Sequence, residues 1–435
     1  MDTAFQAALL LFALFFVLLA IGVPISVGIG VSSFITALIV VPLDVAVFTA
    51  AQKMVQGINS FALLAVIFFI LSGSIMNNGG IAIRLINLAK LIGGRLPGSL
   101  AHTNVLGNML FGSISGSAVA SAAAIGKVMT PLQEKEGYDK PYSAAVNIAS
   151  SPTGLLIPPS GVLILYSLVS GGTSISALFI AGYLPGILMG LSIMTVAYFM
   201  AKKANYPVSE RPKASEGFKI FIDAIPSLLL VVVVIGGIVA GIFTATEGAA
   251  VAVVYSIILA AIYRQIKWSD IPRILKETVV MTGIVLFLVG ASSIMSWVMA
   301  FTDIPTAISN ALLSISDNPI IILLLINLIL LMVGTFMDLT PAVLIFTPIF
   351  LPIAIGLGMD PVHFGILLVF NLSIGVMTPP VGSCLFVGCS VAEVSIESVL
   401  KPLTKMFAAL IVALLIITYV PWISLALPRL FGLLS

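Results

Sequence analysis

Two stretches of this 435-residue chain repeat each other at one constant offset of 221 residues, and both lie beside long apolar segments. Between residues 131–161 and 352–382 seven positions are identical without a gap, and six of the seven are Gly or Pro. Paired interruptions in corresponding hydrophobic segments mark the binding site in many secondary transporters. Because irregular backbone cannot face lipid, we expect these breaks to be buried in protein or to line a cavity.

The composition indicates a membrane protein. Apolar residues make up 60% of the chain and charged residues 8%, whereas a soluble domain carries about 25% charged residues. The net charge of +2 gives no reason to expect a nucleic-acid partner. The chain has two histidines and two cysteines, Cys384 and Cys389, which we interpret as a buried, inert pair. Without a cluster of metal-ligating or nucleophilic side chains, the sequence argues against an enzyme.

Hydropathy predicts an all-α polytopic membrane protein with about ten to eleven spanning helices. Two apolar regions, at about 100–133 and 318–355, are interrupted at their centres, and we predict that each is a re-entrant helical hairpin. A broken span follows each hairpin, at about 143–170 and 364–388. The remaining predicted spans are 4–22, 24–42, 58–78, 175–201, 220–243, 246–263, 278–301 and 405–427, with a surface helix at 82–95 and an interfacial amphipathic segment at 392–404.

The basic residues of the polar linkers predict the orientation of the chain, because such residues concentrate in cytoplasmic loops. We therefore expect the linker 202–219 to be cytoplasmic and both termini to be periplasmic. Counting spans from this linker, the first hairpin enters from the cytoplasm and the second from outside, so 1–201 and 220–435 are predicted to be inverted repeats. The basic residues of the linker are Lys202, Lys203, Arg211, Lys213 and Lys219. Short periplasmic loops are expected at 44–57, 171–174 and 302–318.

The hairpin tips and the broken spans are rich in Gly, Pro, Ser and Thr. Glycine lets the backbone aim carbonyl oxygens into a site, proline ends a helix, and hydroxyl groups complete a shell that suits a small hard cation such as sodium. Thr340-Pro341 and Thr378-Pro379 are predicted to be N-caps followed by proline, so that helix N-termini would face an anionic substrate. The candidate substrate-binding residues at these breaks are Ser150, Ser151, Thr153, Thr340 and Asn371.

Several of these features have a purely structural alternative. Gly112 and Gly116 alone could form a helix-packing face, and Ser and Thr in membrane helices often bond to their own backbone; the paired arrangement favours a site. Asp338 is the sole acid predicted near the bilayer centre, where a charge costs at least about 2.5–3.5 kcal/mol. Ion coordination and capping of the next helix are equally good roles for it. Asp139 and Asp360 fall at turns, which favours turn chemistry over transport.

At these residues the chain resembles the large membrane subunit of tripartite ATP-independent periplasmic (TRAP) transporters, the DctM-like family, over essentially its whole length. The motifs that carry the resemblance are Gly-Ser-Ile-Ser-Gly-Ser-Ala-Val-Ala at 112–120, Ile-Pro-Pro-Ser at 157–160, Leu-Phe-Ile-Ala-Gly-Tyr-Leu-Pro-Gly at 178–186, Phe-Thr-Ala-Thr-Glu at 243–247, Gly-Thr-Phe-Met-Asp-Leu-Thr-Pro at 334–341 and Thr-Pro-Pro-Val-Gly at 378–382.

The resemblance implies sodium-driven import of an organic acid (a C4-dicarboxylate, a sugar acid or sialic acid) across the bacterial inner membrane. It implies an elevator mechanism, in which a domain with both hairpins slides against a scaffold. It also implies a small four-helix membrane subunit and a periplasmic binding protein as partners, with sodium as coupling ion and no other cofactor. The sodium-binding residues that it implies are Ser113, Ser115, Ser117, Gly154, Ile157, Pro159, Gly334, Thr335, Asp338, Gly375, Thr378 and Pro380.

Two other functions stay open at this point. A stand-alone sodium-coupled anion carrier of related fold would work without the two partners. An ion channel would need a continuous polar pore, whereas the broken helices here predict two closed sites.

Overall fold

The computed structural model describes residues 3–94, 96–208 and 214–434, and all regular elements within these ranges are helices. Eight of these helices are long and apolar enough to cross a membrane, and the bent pair Lys140–Leu156 and Gly161–Val169 gives a ninth candidate. The predicted all-α polytopic class is therefore confirmed. The larger predicted number of spans included the segments 4–22 and 24–42, which form the shorter apolar helices Ala4–Ala20 and Ile25–Ala37.

The first half of the chain contains the first hairpin and the first broken span at the predicted places. Pro24 separates the first two helices, and the broken span bends by 50°. The helices are α1 Thr3–Ala20, α2 Ile25–Ala37, α3 Leu43–Ile58, α4 Phe61–Asn78, α5 Ile81–Gly93, α6 Ser99–Ser115, α7 Ala118–Lys135, α8 Lys140–Ser150, α9 Thr153–Leu156, α10 Gly161–Val169 and α11 Ile175–Ala204. Helices α6 and α7 are the arms of the first hairpin, and α8 to α10 are its broken span.

The second half has the same order of a hairpin and a broken span. Its helices are α12 Ala214–Val239, α13 Ala245–Tyr263, α14 Ile271–Phe301, α15 Ile304–Ile315, α16 Pro319–Phe336, α17 Leu339–Gly356, α18 Pro361–Gly375, α19 Ser383–Ala392, α20 Ile396–Tyr419 and α21 Trp422–Leu430. A short 3-10 helix, Trp268–Asp270, precedes α14. Helices α16 and α17 are the arms of the second hairpin, and α18 and α19 are its broken span.

Two segments that the sequence assigned to loops are helices. The predicted loops 44–57 and 302–318 contain α3 and α15. Helix α3 follows Pro42, and Pro305 lies in the first turn of α15. Proline is favourable at the start of a helix. Each is too short to cross a membrane and has one apolar face, so a search for spanning segments missed them.

The predicted separation of an interfacial segment, 392–404, from a span at 405–427 is wrong. Helix α20 runs without interruption from Ile396 to Tyr419. Ser395 is its N-cap and accepts a hydrogen bond from Ser398 N at 3.4 Å. The break falls instead at Val420-Pro421, before α21. The charged residues near the start of α20 occupy the polar face of a helix whose other face is buried. In the sequence, this pattern resembles that of a separate amphipathic segment.

The linker predicted at 202–219 is shortened by helices at both ends. Helix α11 continues to Ala204, and α12 begins at Ala214. The predicted cytoplasmic residues Arg211 and Lys213 lie outside the described residues, as does residue 95 at the end of the predicted surface helix 82–95. That segment forms helix α5, but one of its faces, which includes Leu85 and Ala89, is buried.

The two broken spans form the centre of the molecule. Every residue from Tyr142 to Ser160 and from Val362 to Met377 is buried. Asp139 and Asp360 cap the helices that open these spans, since their carboxylates accept hydrogen bonds from Tyr142 N and Val362 N at 3.3 and 2.7 Å. The turn chemistry predicted for the two aspartates is therefore confirmed. The irregular backbone of the first break is enclosed by protein as expected, whereas residues 379–381 of the second break are exposed.

Candidate functional site

A contact between two glycines joins the first hairpin to the first broken span. Gly112 lies in the last turn of α6 and packs against Gly154 of α9. A Cβ atom on Gly154 would lie 2.3 Å from Gly112 Cα, so no larger residue fits without moving backbone. The tip then turns at Gly116, which has a φ of 62° and whose amide donates to Gly112 O at 2.8 Å. This contact brings the serines of the tip next to the first break.

The second hairpin repeats this contact with its own broken span. A Cβ atom on Gly375 of α18 would lie 2.5 Å from Gly334 C in the last turns of α16. Val381 N, in the break, also donates to Thr335 O at 3.1 Å. The Pro158–Pro159 and Pro379–Pro380 peptide bonds are both cis, so the two breaks share this backbone feature as well. The structure thus pairs each tip with its own break.

In each hairpin, the last residue of the tip is the N-cap of the second arm. Ser117 caps α7 and its hydroxyl accepts a hydrogen bond from Ala120 N at 3.3 Å. Asp338, at the same 221-residue offset, is the N-cap of α17 by backbone conformation, but its side chain makes no cap hydrogen bond. The predicted N-cap at Thr340 is wrong, because α17 already begins at Leu339.

The predicted N-cap at Thr378 is also wrong. Residues 376–382 form turns, and α19 begins only at Ser383 after Gly382. The Thr378 hydroxyl donates to Ile374 O at 2.7 Å, one turn earlier in α18. Pro379 and Pro380 keep the helix from continuing, since neither has an amide proton.

Both hairpin tips open into one cavity of about 560 Å³. Its volume is within the range of small-molecule sites. Four helices begin at its wall: α7 and α17 from the hairpins, and α10 and α19 from the broken spans. Helices α4 and α14 supply the opposite wall. The polar residues that line it are Ser74, Asn77, Ser115, Ser117, Glu277, Thr278, Asp338, Thr340 and Ser383.

The charge of this cavity comes from two carboxylates. Asp338 lies at the second tip and accepts a hydrogen bond from the Ser383 hydroxyl at 3.4 Å. Glu277 of α14 accepts one from the Ser74 hydroxyl of α4, also at 3.4 Å. Among the described residues no Lys, Arg or His lines the cavity. The attraction of an anion to this cavity would therefore require helix N-termini or bound cations.

The predicted sodium-binding residues fall into the two tip-and-break clusters. Ser115, Ser117 and Asp338 also line the cavity. Behind the tip, Ser113 is buried and its hydroxyl donates to Leu110 O at 2.8 Å. The others lie in the arms and breaks around the glycine contacts: Gly154, Ile157, Pro159, Gly334, Thr335, Gly375, Thr378 and Pro380.

Of the predicted substrate-binding residues, only Thr340 lines the cavity. Ser151 and Thr153 are buried and donate to carbonyl oxygens of their own span, Ile148 O and Ser150 O. Asn371 is buried too, and its Oδ1 has no hydrogen-bond partner among the described residues. It occupies the position equivalent to Ser150, 221 residues earlier.

Buried asparagines connect each hairpin to its broken span. Of these asparagines, only Asn371 was predicted from the sequence. Asn108 Nδ2 lies 3.0 Å from Asn147 Oδ1 and 2.8 Å from Ser150 Oγ, and Asn108 Oδ1 accepts from Ser121 Oγ at 2.7 Å. In the second half Asn371 Nδ2 donates to Asn327 Oδ1 at 2.8 Å. An amide within an apolar segment is a usable sequence signal, because buried polar groups in membranes need partners. The position of Glu277 at the cavity could not be predicted in this way, since it follows a run of basic residues that indicates a polar linker.

Comparison with known proteins identifies the family. Residues 12–423 match the family described as Tripartite ATP-independent periplasmic transporter, DctM component. The chain is 59% identical over 424 residues to the uncharacterized protein YgiK of Salmonella typhimurium, covering 98% of each chain. It is 39% identical to the sialic acid TRAP transporter large permease protein SiaM of Vibrio cholerae, covering 88% of this chain and 90% of the relative.

A third relative and a solved structure agree with this result. The chain is 35% identical to the C4-dicarboxylate TRAP transporter large permease protein DctM of Rhodobacter capsulatus, covering 98% of this chain and 100% of the relative. The crystal structure of the YdaH transporter of Alcanivorax borkumensis superposes with a TM-score of 0.63 at 15% identity, covering 88% of this chain and 90% of that chain. This last likeness concerns the fold alone. The chain therefore belongs to the DctM family, the large membrane permeases of TRAP transporters.

Proposed function

We propose that this chain is the permease through which sodium drives the import of an organic acid into a bacterial cell. The observation that carries the proposal is the convergence of two helical hairpin tips and two helix breaks on one cavity that no basic side chain lines among the described residues. Helix N-termini there attract a carboxylate, and helix C-termini and hydroxyl groups attract a cation.

Sodium is the expected partner of the two clusters because each offers oxygen atoms and little else. The first arms, α6 and α16, end there and leave carbonyl groups without helical partners. Ser113 and Thr378 donate their protons to backbone carbonyls, so their oxygen lone pairs are free to face a cation. A cation bound behind each tip would also offset the charge of Asp338 and of an incoming anion.

The cavity and the relatives both support a carboxylate as the substrate. The names of two relatives specify sialic acid and a C4-dicarboxylate, and both compounds carry a carboxylate. Helix N-termini at α7, α10, α17 and α19 present amide protons to such a group. We propose a carboxylate of one of three kinds: a C4-dicarboxylate, a sugar acid or sialic acid.

Transport requires two partners and a moving domain in this proposal. A small membrane subunit enlarges the scaffold, and a soluble periplasmic protein captures the substrate and docks on the permease. The hairpins and broken spans move together as an elevator, since the glycine contacts and buried amides hold each tip to its own break. The chain lies in the inner membrane with its N-terminus in the periplasm.

The sodium requirement is tested with the whole complex in liposomes. Uptake of a radiolabelled organic acid is measured with the binding protein present and with sodium or potassium outside. We expect uptake only with an inward sodium gradient. Undiminished uptake in potassium with a proton gradient would refute sodium coupling.

The partners are tested by omission. This chain is reconstituted alone, then with the small subunit, and then with the binding protein as well. We expect saturable uptake only from the complete system, because the capture of substrate resides in the soluble protein. Full uptake by the isolated chain would favour a stand-alone carrier.

The inverted orientation is tested with one cysteine in each half at equivalent positions. Lys135→Cys and Gly356→Cys lie 221 residues apart at the ends of α7 and α17, and both positions are exposed. The native Cys384 and Cys389 are buried and give little background. A membrane-impermeant maleimide should label residue 356 in spheroplasts and residue 135 only after permeabilisation. Labelling of both from one side would exclude inverted repeats.

A further inference from the structure

A second cavity of about 510 Å³ lies apart from the transport site, between the ends of α4 and α13 and the start of α14. Its walls are aliphatic. Leu71 and Ile75 come from α4, Ile257 and Ala260 from α13, and Ile274 from α14. Ile75, Ala260 and Ile274 form a small apolar cluster of their own. We name this cavity the α4–α13–α14 groove.

The mouth of the groove is basic and aromatic. Arg264 and Lys267 line it, and neither has an ion pair among the described residues. Arg273, in the first turn of α14, does have an ion pair, with Asp270 at 3.5 Å. Trp268 also lines the groove and is 89% exposed. Tryptophan at such a position is typical of the boundary between membrane and water.

We propose that the groove binds one anionic phospholipid. An acyl chain occupies the aliphatic walls, the phosphate lies between Arg264 and Lys267, and Trp268 packs at the level of the headgroup. Anionic lipids are attracted by basic residues next to the membrane, which contribute about 1 kcal/mol each. A soluble anion would leave the apolar walls empty, and a zwitterionic lipid such as phosphatidylcholine would bring a quaternary ammonium group next to the two cations, which offsets the attraction of its phosphate.

The groove shares a wall with the transport site. Helix α14 contributes Ile271, Ile274 and Leu275 to the groove, and then Glu277 and Thr278 to the cavity that contains the hairpin tips. A lipid in the groove therefore packs against the helix that positions these two residues. The proposal does not depend on the substrate or on the coupling ion.

Native mass spectrometry of the purified complex, titrated with phosphatidylglycerol or phosphatidylcholine, tests the proposal. We expect one tightly retained phosphatidylglycerol and no such retention of phosphatidylcholine. The double variant Arg264→Gln, Lys267→Gln should weaken phosphatidylglycerol binding about twenty-five-fold, since each cation contributes about fivefold. Lys276→Gln is the control, because Lys276 is exposed on α14 but does not line the groove.

A matched pair of tryptophan variants tests the acyl chain. Ile257 lines the groove and is 53% exposed, whereas its neighbour Ile258 is 51% exposed and does not line it. Ile257→Trp should fill the groove and displace the lipid, and Ile258→Trp should leave binding unchanged. Equal retention of both lipids, or unchanged binding in the double variant, would overturn the proposal. Competition by glycerol phosphate with no effect of Ile257→Trp would reveal a soluble-anion site and would also overturn it.

Discussion

The two tip-and-break clusters have nearly the same backbone but different chemistry. In each, a glycine of the first hairpin arm contacts a glycine of the broken span, Gly112 with Gly154 and Gly334 with Gly375. The N-cap of the second arm is Ser117 in the first cluster and Asp338 in the second. The repeat thus preserves the contact that requires a small residue, while the residue that sets the charge has changed.

The clusters also differ in how the tip is held. In the second, Val381 N donates to Thr335 O, whereas among the described residues no backbone hydrogen bond joins the first tip to its break. The first instead has the larger amide network, centred on Asn108. The second cluster has a main-chain hydrogen bond in addition to its amide pair and carries a charge, whereas the first is held by side chains and is neutral. Two cation sites of different affinity are the expected consequence.

The largest effect is expected from the glycine contacts. Gly154→Ala and Gly375→Ala each place a Cβ atom within 2.5 Å of a backbone atom of the facing arm. Overpacking of this kind costs about 3 kcal/mol or more where backbone must shift. Uptake by the complex should fall to background in both variants. Gly283→Ala, which has no atom within 4 Å of the added Cβ, should transport normally; normal uptake by Gly154→Ala would show that the contact is not required.

The second-largest effect is expected from removing the charge of Asp338 in the second cluster. Asp338→Asn keeps the shape of the side chain and an oxygen that can accept from the Ser383 hydroxyl, but it removes the charge. If the carboxylate contacts sodium, the sodium concentration for half-maximal uptake should rise about ten- to a hundredfold. Asp360→Asn, at a cap away from the cavity, is the control. Unchanged sodium dependence in Asp338→Asn would show that the charge of the carboxylate does not contribute to sodium binding.

The hydroxyl groups behind the tips should have a smaller effect. Thr378→Val keeps the side-chain shape and deletes one oxygen, and Ser113→Ala does the same in the first cluster. A charge-assisted contact contributes about 1.5–3 kcal/mol, so each change should raise the sodium requirement roughly tenfold or more. Thr378→Ser retains the hydroxyl and should behave like the parent. Sodium titration of uptake at fixed substrate measures this, and no change in Thr378→Val would limit that hydroxyl to its bond with Ile374 O.

The smallest effect on uptake is expected from the amide networks, which should act on stability. Asn108→Ala removes hydrogen-bond partners of Asn147, Ser121 and Ser150, whereas Asn327→Ala removes those of Asn371 and Thr418. Each buried group left without a partner costs about 1–3 kcal/mol. Asn108→Ala should therefore have the lower melting temperature of the two complexes. Asn310→Ala, exposed on α15, is the control, and equal melting temperatures would contradict the difference between the clusters.

Much of the fold could be predicted because it depends on local chemistry. Pro24, the Pro-Pro pairs and Gly116 lie between helices, so the helix ends at these positions agree with the sequence to within a few residues. The burial of Cys384 and Cys389 was also predicted correctly. The error at Thr340 arose because a Thr-Pro pair fits both the cap and the interior of a first turn. The error at Thr378 arose because turns, and not a helix, follow that Thr-Pro pair.

The sequence by itself determined that this is a membrane chain of two repeated halves, each with an interrupted hairpin and an interrupted span, because glycine and proline act on their own backbone. Only the tertiary structure decided which glycines touch, that both tips meet in one cavity, and that Glu277 of a distant helix lines the same cavity as Asp338. Those facts depend on contacts between residues far apart in the chain. Such contacts follow from how helices pack, and no local pattern of residues specifies them.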